Sequence, residues 1–558
     1  MKNGNVGIAD VTLGFETLGK VYYNEFAIRK AVNNVFRQII LAVSCFSISH
    51  AFASVLYVDV NSTNPTPPYV DLATAAVSIQ SAVDVASNTD LILVNDGIYQ
   101  DGSRVIQESI SSGFPPKTIS STNRLVLGKE LTVQSLNGPG SAFISGGGDC
   151  RCVYLMNGAV LSGFTLINGV AGYLTTTQNL RGGMVTITNI LNGGAVAGTN
   201  GLGSGSALVS NCVLTASQAW GNGGGAYRVN LVDCALSGNK ATSGGGAYDS
   251  TLVNCIVAGN SAQTNQSAPN PGVPTWDVPT GVGGGIYLCS ALNCLIASNN
   301  AFEGGGVFDA TGLKNCTIVN NHASHFGGVY LNGYSQSPYS YASNCLIYFN
   351  TAGTNANFGV TNLFADHCCT FPLPPGGDGN ITNNPALVDP DGGNFHLQAD
   401  SPCINAGKNS FVSTTTALDG DPRIAGGTVD IGAYEYQTPS SVLSYAWAQQ
   451  YGLPTDGTGD YADSDSDGLN NWQEWIAGTI PTNSASVLIL QLPTAAIGTG
   501  IKLMWQSVNT RTYYLQCSTN LPFFSSIRSN LVGQAGTTSF TDTTATNGGP
   551  YFYRVGVQ

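Results

Sequence analysis

Residues 223–243 read GGGAYRVNLVDCALSGNKATS, and residues 244–264, directly after them, read GGGAYDSTLVNCIVAGNSAQT. Laid one above the other, the two segments agree in four columns. These are a glycine triplet, an aromatic ring two residues after it, an Asn-Cys or Asp-Cys pair, and an Asn five residues past the cysteine. Outward from this pair the cysteine column continues through Asn211-Cys212, Asn293-Cys294, Asn315-Cys316 and Asn344-Cys345, with neighbours 21 or 22 residues apart where nothing is inserted. Two longer gaps hold residues 262–280 and 332–341, whose Pro, Asn, Ser and Gly content is that of loops bulging from one turn of a repeat.

The other columns keep step. Asn239, Asn260, Asn299, Asn321 and Asn350 form one, and Tyr227, Tyr248, Tyr287, Phe308 and Tyr330 another. Such a period, rich in β-branched and aromatic residues and punctuated by Gly and Asn, predicts a right-handed parallel β-helix of three-strand coils of about 22 residues. Coils stacked about 4.8 Å apart bring identical side chains into ladders. An Asn ladder can bond to the coils above and below, and Asn tolerates the left-handed backbone of a bend. A leucine-rich repeat lacks its Leu consensus here, and a propeller blade needs about 40 residues. The one-per-coil cysteines fit a buried thiol ladder, although neighbouring coils also bring α-carbons within disulfide range. Cys150, Cys152, Cys368 and Cys369 fall off that ladder. Before the coils, Ser78 to Val83 predicts a short amphipathic helix and Asp90 to Tyr99 a strand, with the helix capping the open end of the stack.

The chain carries 70 Gly among 558 residues and only 9% charged residues, with a net charge of -13. Twenty Lys and Arg in all argue against a nucleic-acid partner, because a phosphate backbone needs clustered cations. Arg29, Lys30 and Arg37 precede the apolar run 39–48, and Ala51-Phe52-Ala53 follows as a small-x-small cleavage signal. This is the layout of a secretory signal peptide, too short to span a bilayer, so the expected product is extracellular with no transmembrane segment in the mature chain.

The opening Tyr57-Val58-Asp59, the segment Asp96-Gly97-Ile98-Tyr99, Gly163-Phe164-Thr165-Leu166 and the glycine and Asn-Cys coils resemble bacterial right-handed parallel β-helix repeat proteins. More specifically, Leu418-Asp419-Gly420-Asp421-Pro422-Arg423 with Val429-Asp430-Ile431-Gly432-Ala433-Tyr434-Glu435 resembles the end signature of the choice-of-anchor Q group. That resemblance implies export and surface display, with accessory modules after the coils and no assigned reaction.

Past Tyr436 the character changes. Residues 463–474, Asp-Ser-Asp-Ser-Asp-Gly-Leu-Asn-Asn-Trp-Gln-Glu, fit a twelve-residue calcium loop. Asp463, Asp465, Asp467 and Glu474 supply carboxylates, Leu469 its carbonyl and Asn471 a direct or water-mediated contact, so Ca2+ is the expected cofactor. The loop resembles those of dockerins and thrombospondin-type repeats. Strand-like runs at 487–492, 501–505, 512–516, 538–541 and 551–557 predict a small β-sandwich that looks like a fibronectin type III-like domain. The reading therefore divides the chain into an N-terminal extension and leader (1–53), the β-helix (54–436), a calcium module (437–484) and a sandwich (485–558).

Two functions fit. One is a secreted or cell-surface protein, monomeric, that binds polysaccharide or a cell-surface glycan without cleaving it. The other is a polysaccharide lyase or glycoside hydrolase, with Asp249 and Asp309 as weak catalytic candidates. These two share a column about two coils, or roughly 9 to 10 Å, apart, close to the spacing of inverting carboxylates. Asp366 is a third acid for such a groove, and His322 and His325 share one turn.

Overall fold

The computed structural model describes residues 53–110, 117–180, 183–199, 206–263, 281–331, 341–359, 364–496, 500–545 and 549–558. The leader lies outside the described residues. Two compact units result, Ala53–Gln449 and Gln450–Gln558.

The first unit is a right-handed parallel β-helix. A repeating coil contributes Ala247–Tyr248 to a nine-stranded sheet, Thr251–Val253 to an eleven-stranded sheet and Ile256–Ala258 to a ten-stranded sheet. Seven coils add a short strand to a fourth sheet, as Ser261–Ala262 does. Pairing from coil to coil is parallel and in register, Leu252 opposite Leu231 and Ala291, for instance. Inside the coils Leu231, Leu252, Val257, Ile296, Ile318 and Ile347 are fully or almost fully buried. Two antiparallel hairpins extend this frame: Arg104–Ile110 pairs with Lys117–Leu127, which joins the nine-stranded sheet beside Arg151–Leu155, and Tyr173–Leu180 pairs with Gly183–Ile190 as a separate two-stranded sheet. The expected cap is present: the helix Ile79–Val85 starts at Ser78, whose hydroxyl accepts from the Ser81 N–H, and it buries Ile79, Ala82 and Val83 in the first coil.

The ladders follow the sequence columns, with differences of detail. Asn239, Asn260, Asn299, Asn321 and Asn350 form a continuous buried ladder in which each Nδ2 donates to the next Oδ1 at 2.9–3.0 Å. Their own backbone is not left-handed. That conformation falls one residue earlier, at Gly238, Gly259, Ser298, Asn320 and Phe349, so the ladder asparagines serve as hydrogen-bond relays rather than as bends. The asparagines before the cysteines, Asn211, Asn254, Asn293, Asn315 and Asn344, are by contrast left-handed themselves. The middle glycine of each triplet is there for space, since a Cβ on Gly245 would meet the Ser261 and Gly284 carbonyl oxygens at 2.5 Å.

All thirteen cysteines of the described residues are free, and twelve are buried. Cys368 belongs on the thiol ladder after all, its sulfur accepting from the Cys345 N–H at 3.4 Å. The coil that carries it lacks the Asn-Cys signature, with His367 before the sulfur, which hides it in the sequence. Cys369 faces outward, where it meets a second core. There Phe395, Leu397, Cys403, Ile404, Ile431 and Tyr445 of the segment that follows the coils pack on Leu295, Val319 and Leu346 of the ten-stranded sheet. This strap covers only the later coils; in an earlier one Ile256 remains 40% exposed.

The strap is fastened by the asparagines before the cysteines. Asn293 donates to the Thr416 carbonyl, Asn315 to that of Phe411, and Asn344 exchanges two hydrogen bonds with the backbone of Lys408. Its own clasp is made from the residues of the end signature. The buried Arg423 donates to Glu435 at 2.8 Å and to the Gly432 carbonyl at 2.6 Å, while Asp430 accepts from the backbone N–H groups of Asn405 and Tyr436.

In the second unit two three-stranded antiparallel sheets enclose Leu503, Trp505, Tyr513, Leu515 and Val555. The sheets are built from Thr494–Ala496, Gly500–Ser507 and Gly536–Asp542, and from Thr512–Asn520, Phe523–Val532 and Phe552–Val557. The run 487–492 makes only an isolated bridge at Leu490, and the strand Phe523–Val532 was not expected because its alternation is broken by polar residues. Among the described residues no helix is long and apolar enough to cross a membrane.

Candidate metal centre and the carboxylates of the coils

The loop 463–474 is shaped by its own acids. Asp463 accepts from the N–H groups of Ser466, Asp467 and Gly468, Asp465 from that of Asp467, and Asp467 from that of Leu469. Gly468, at φ 100°, makes the turn that those bonds require. The loop then enters the helix Asn471–Ala477 through a capping box between Asn470 and Gln473.

These bonds engage both oxygens of Asp463 but only one oxygen each of Asp465 and Asp467. Asp465 Oδ2, Asp467 Oδ2, Asn471 Oδ1 and Glu474 Oε2 are four of the thirteen buried side-chain polar atoms without a hydrogen-bond partner among the described residues. The carboxylates of Asp463, Asp465 and Asp467 lie within 4.8 Å of one another. Glu474 is fully buried, and burial together with the Asp465 and Asp467 charges pushes its carboxyl up to about 8. Burial likewise raises Asp467. Orphaned oxygens and mutual repulsion are the two costs that a bound divalent cation removes, so the donor set fits Ca2+. The Nδ2 of Asn471 donates to the Gly459 carbonyl at 2.7 Å, which turns its oxygen away from that contact.

The coils treat their acids differently. Asp249 and Asp309 do follow the aromatic column, with Tyr248, Tyr287 and Phe308 paired in register between them. Both take left-handed backbone at a corner, φ 47° and 53°. Asp249 is held by Arg228 of the preceding coil at 2.9 Å, and Asp309 is only 4% exposed. Asp366 does not join them. It ends the strand Phe364–Asp366, whereas Asp249 and Asp309 precede strands of the same eleven-stranded sheet, so the acids sit at opposite corners of the coil. His322 and His325 lie on the fourth sheet, with Nδ1 atoms 2.8 and 2.9 Å from the Thr351 and Thr354 hydroxyls.

Around Asp366 the structure gathers side chains that no sequence column announced. Its Oδ1 is 2.6 Å from His367 Nδ1 and its Oδ2 4.0 Å from Lys408 Nζ. Lys314 Nζ lies 5.6 Å from the centroid of the Tyr341 ring, and Tyr341 pairs in register with Phe364. Lys408 arrives on the strap, some forty residues along the chain from Asp366, which is why spacing could not disclose the group.

No family model matches the chain, and no curated protein matches it. Among solved structures, pectate lyase Pel9A aligns with 69% of this chain and 97% of its own, at 15% identity and a TM-score of 0.38. A rhamnogalacturonan lyase aligns with 60% and 91%, at 12% identity and a TM-score of 0.28. The pectin methylesterase PemA from Erwinia chrysanthemi aligns with 60% and 92%, at 8% identity and a TM-score of 0.26. At these scores the likeness adds nothing to what the strand pairing establishes, and the activities named are those of the other proteins.

Proposed function

We propose that this chain is an exported protein that binds polysaccharide along its coils without cleaving it, and that its C-terminal unit is an accessory module held by one Ca2+. The observation that carries the choice of binding over cleavage is the commitment of the column acids. Asp249 is ion-paired with Arg228 and Asp309 is buried, so neither carboxylate is presented to a polymer lying on the coils. What the same corner presents instead is a row of rings, one per coil, with Tyr227, Tyr248 and Tyr287 half-buried and 5.0–5.5 Å between successive centroids. Half-exposed rings at a regular spacing suit a polymer of sugar rings. Export rests on the leader-like residues 29–53, and surface display on the likeness of residues 418–435 to the choice-of-anchor Q signature.

Electrophoresis through gels containing soluble polysaccharides tests this reading. Retarded migration in at least one polymer is expected, unchanged in Asp249→Ala; unretarded migration in all of them contradicts it. A lyase or hydrolase is the second reading, and the grouping of Asp366, His367 and Lys408 is the observation that favours it.

A further inference from the structure

We infer that the corner formed by Lys314, Lys408, Tyr341 and Phe364 is a binding site for an acidic sugar, carboxylated or sulfated, within the polysaccharide-binding role proposed above, on which it rests. The argument begins with how this acidic protein spends its few cations. In the β-helix unit Arg151 and Arg423 are buried. Arg124 and Lys129 donate to backbone carbonyls, and Arg104 and Arg228 pair with Asp84 and Asp249. Of the Lys and Arg side chains among the described residues of this unit, Lys240, Lys314 and Lys408 are left, and two of these three lie at one corner, where Lys408 has a 4.0 Å contact with Asp366.

Register places them. Lys314 aligns with Ser343 and Ser343 with Asp366, so Lys314 and Asp366 stand two coils apart on one sheet. The Lys408 backbone is pinned between them, its N–H donating to Asn344 Oδ1 at 2.8 Å and its carbonyl accepting from Asn344 Nδ2 at 3.1 Å. Asp366 divides its charge between His367 and Lys408, and its side chain is only 18% exposed against 45% for Lys408. Lys408 is therefore the more open partner of that pair, and Lys314, partly exposed, lies over the Tyr341 ring beside it.

Beside the ammonium groups lies an apolar platform. Phe364 is 52% exposed, and Tyr341 is half-buried on the neighbouring strand. A sugar ring laid on these faces directs an acidic substituent toward Lys314 and Lys408, where a charge-assisted hydrogen bond forms. In a chain of net charge -13, this is where an anionic polymer is attracted rather than repelled.

The test uses the mature full chain and three probes at low ionic strength: polygalacturonate, its carboxyl-reduced neutral counterpart, and dextran sulfate. Binding to at least one acidic polymer is expected to be about tenfold tighter than to the neutral one, and weakened by salt. Lys314→Ala with Lys408→Ala is expected to erase that preference and keep the neutral binding, while Lys240→Ala changes neither. Which acidic polymer is preferred identifies the acid. Should the double variant fold poorly, as judged by its far-ultraviolet spectrum, the Lys→Gln pair replaces it. A double variant that retains the preference overturns the site. Wild-type binding to the neutral polymer with no acidic preference overturns the site and leaves the broader reading standing, and binding to none of the three, nor to any other polysaccharide, overturns both.

Discussion

The side-chain oxygen of Asn260 receives two hydrogen bonds from Asn239, one from its backbone N–H and one from its amide nitrogen, both at 3.0 Å. The same pair recurs at each step to Asn350. Each ladder side chain thus satisfies a backbone donor that the bend of the coil leaves without a strand partner. Asn299→Ala strands the Asn260 N–H and half of its amide in a dry interior, which costs on the order of 3 kcal/mol. Urea unfolding of the full chain is expected to show the lower midpoint, and Asn299→Asp is expected to do no better. Lys240→Ala, exposed at the equivalent turn two coils earlier, shifts it little.

The sulfur ladder behaves as small apolar packing. Burial pushes the thiols of Cys212 on the ladder and of Cys289, buried off it, up to about 12, so these two carry almost no thiolate at neutral pH. Alkylation of the native chain followed by mass spectrometry is expected to label Cys517 first, because it alone among the described cysteines is half-buried. Cys316→Val is expected to cost less than about 1.5 kcal/mol as a near-isosteric swap. Rapid native labelling of the coil cysteines, or disulfides between neighbouring coils, contradicts this picture.

A pH dependence follows from the clasp of the strap. Burial raises both of its carboxyls, Asp430 to about 7 and Glu435 to about 8, against the opposing pull of Arg423. Folded values above the unfolded ones mean that the folded clasp binds protons more tightly, so its contribution is full below about pH 4 and fades as pH rises through about 7 to 8. The unfolding temperature of the β-helix is therefore expected to fall by a few degrees between pH 6 and pH 9, and Glu435→Gln to flatten that fall. A wild-type profile that is flat or rising places the protons elsewhere.

Calcium is expected to stabilise more than its own loop. Leu469 and Ala477 belong to the core of the sandwich, and Arg511 donates to the Trp475 and Ile476 carbonyls at the end of the loop's helix. At free Ca2+ about 100 times the Kd, one site adds about 2.7 kcal/mol. Limited proteolysis of the full chain with and without chelator is expected to expose residues 500–545 only when Ca2+ is removed, and in Glu474→Gln at all times. Equal protection in both conditions argues against the site.

Much of this was legible because a β-helix repeats its chemistry in the chain. Cys234, Asn239, Gly245 and Tyr248 each announced a column, and each column became a ladder. What stayed hidden was whatever the repeat does not enforce. Cys368 lacks the signature because His367 stands where the other coils have Asn or Asp. The strap meets the coils through Asn293, Asn315 and Asn344, whose partners lie 64 to 123 residues ahead. The acids of column 249 to 309 were visible, but the ion pair of the first and the burial of the second were not, since Arg228 reaches Asp249 only once the coils are stacked. The acidic loop 463–474 was legible for the opposite reason, as its candidate donors are all local.

The most direct measurement of the central claim counts bound polymer and newly released sugar ends in the same tube, for the mature chain with Ca2+ and each polysaccharide that retards it. Retention with no release above a boiled control is the predicted result. Release that is lost in Asp366→Ala or Lys408→Ala contradicts it, and establishes an enzyme at that corner of the coils.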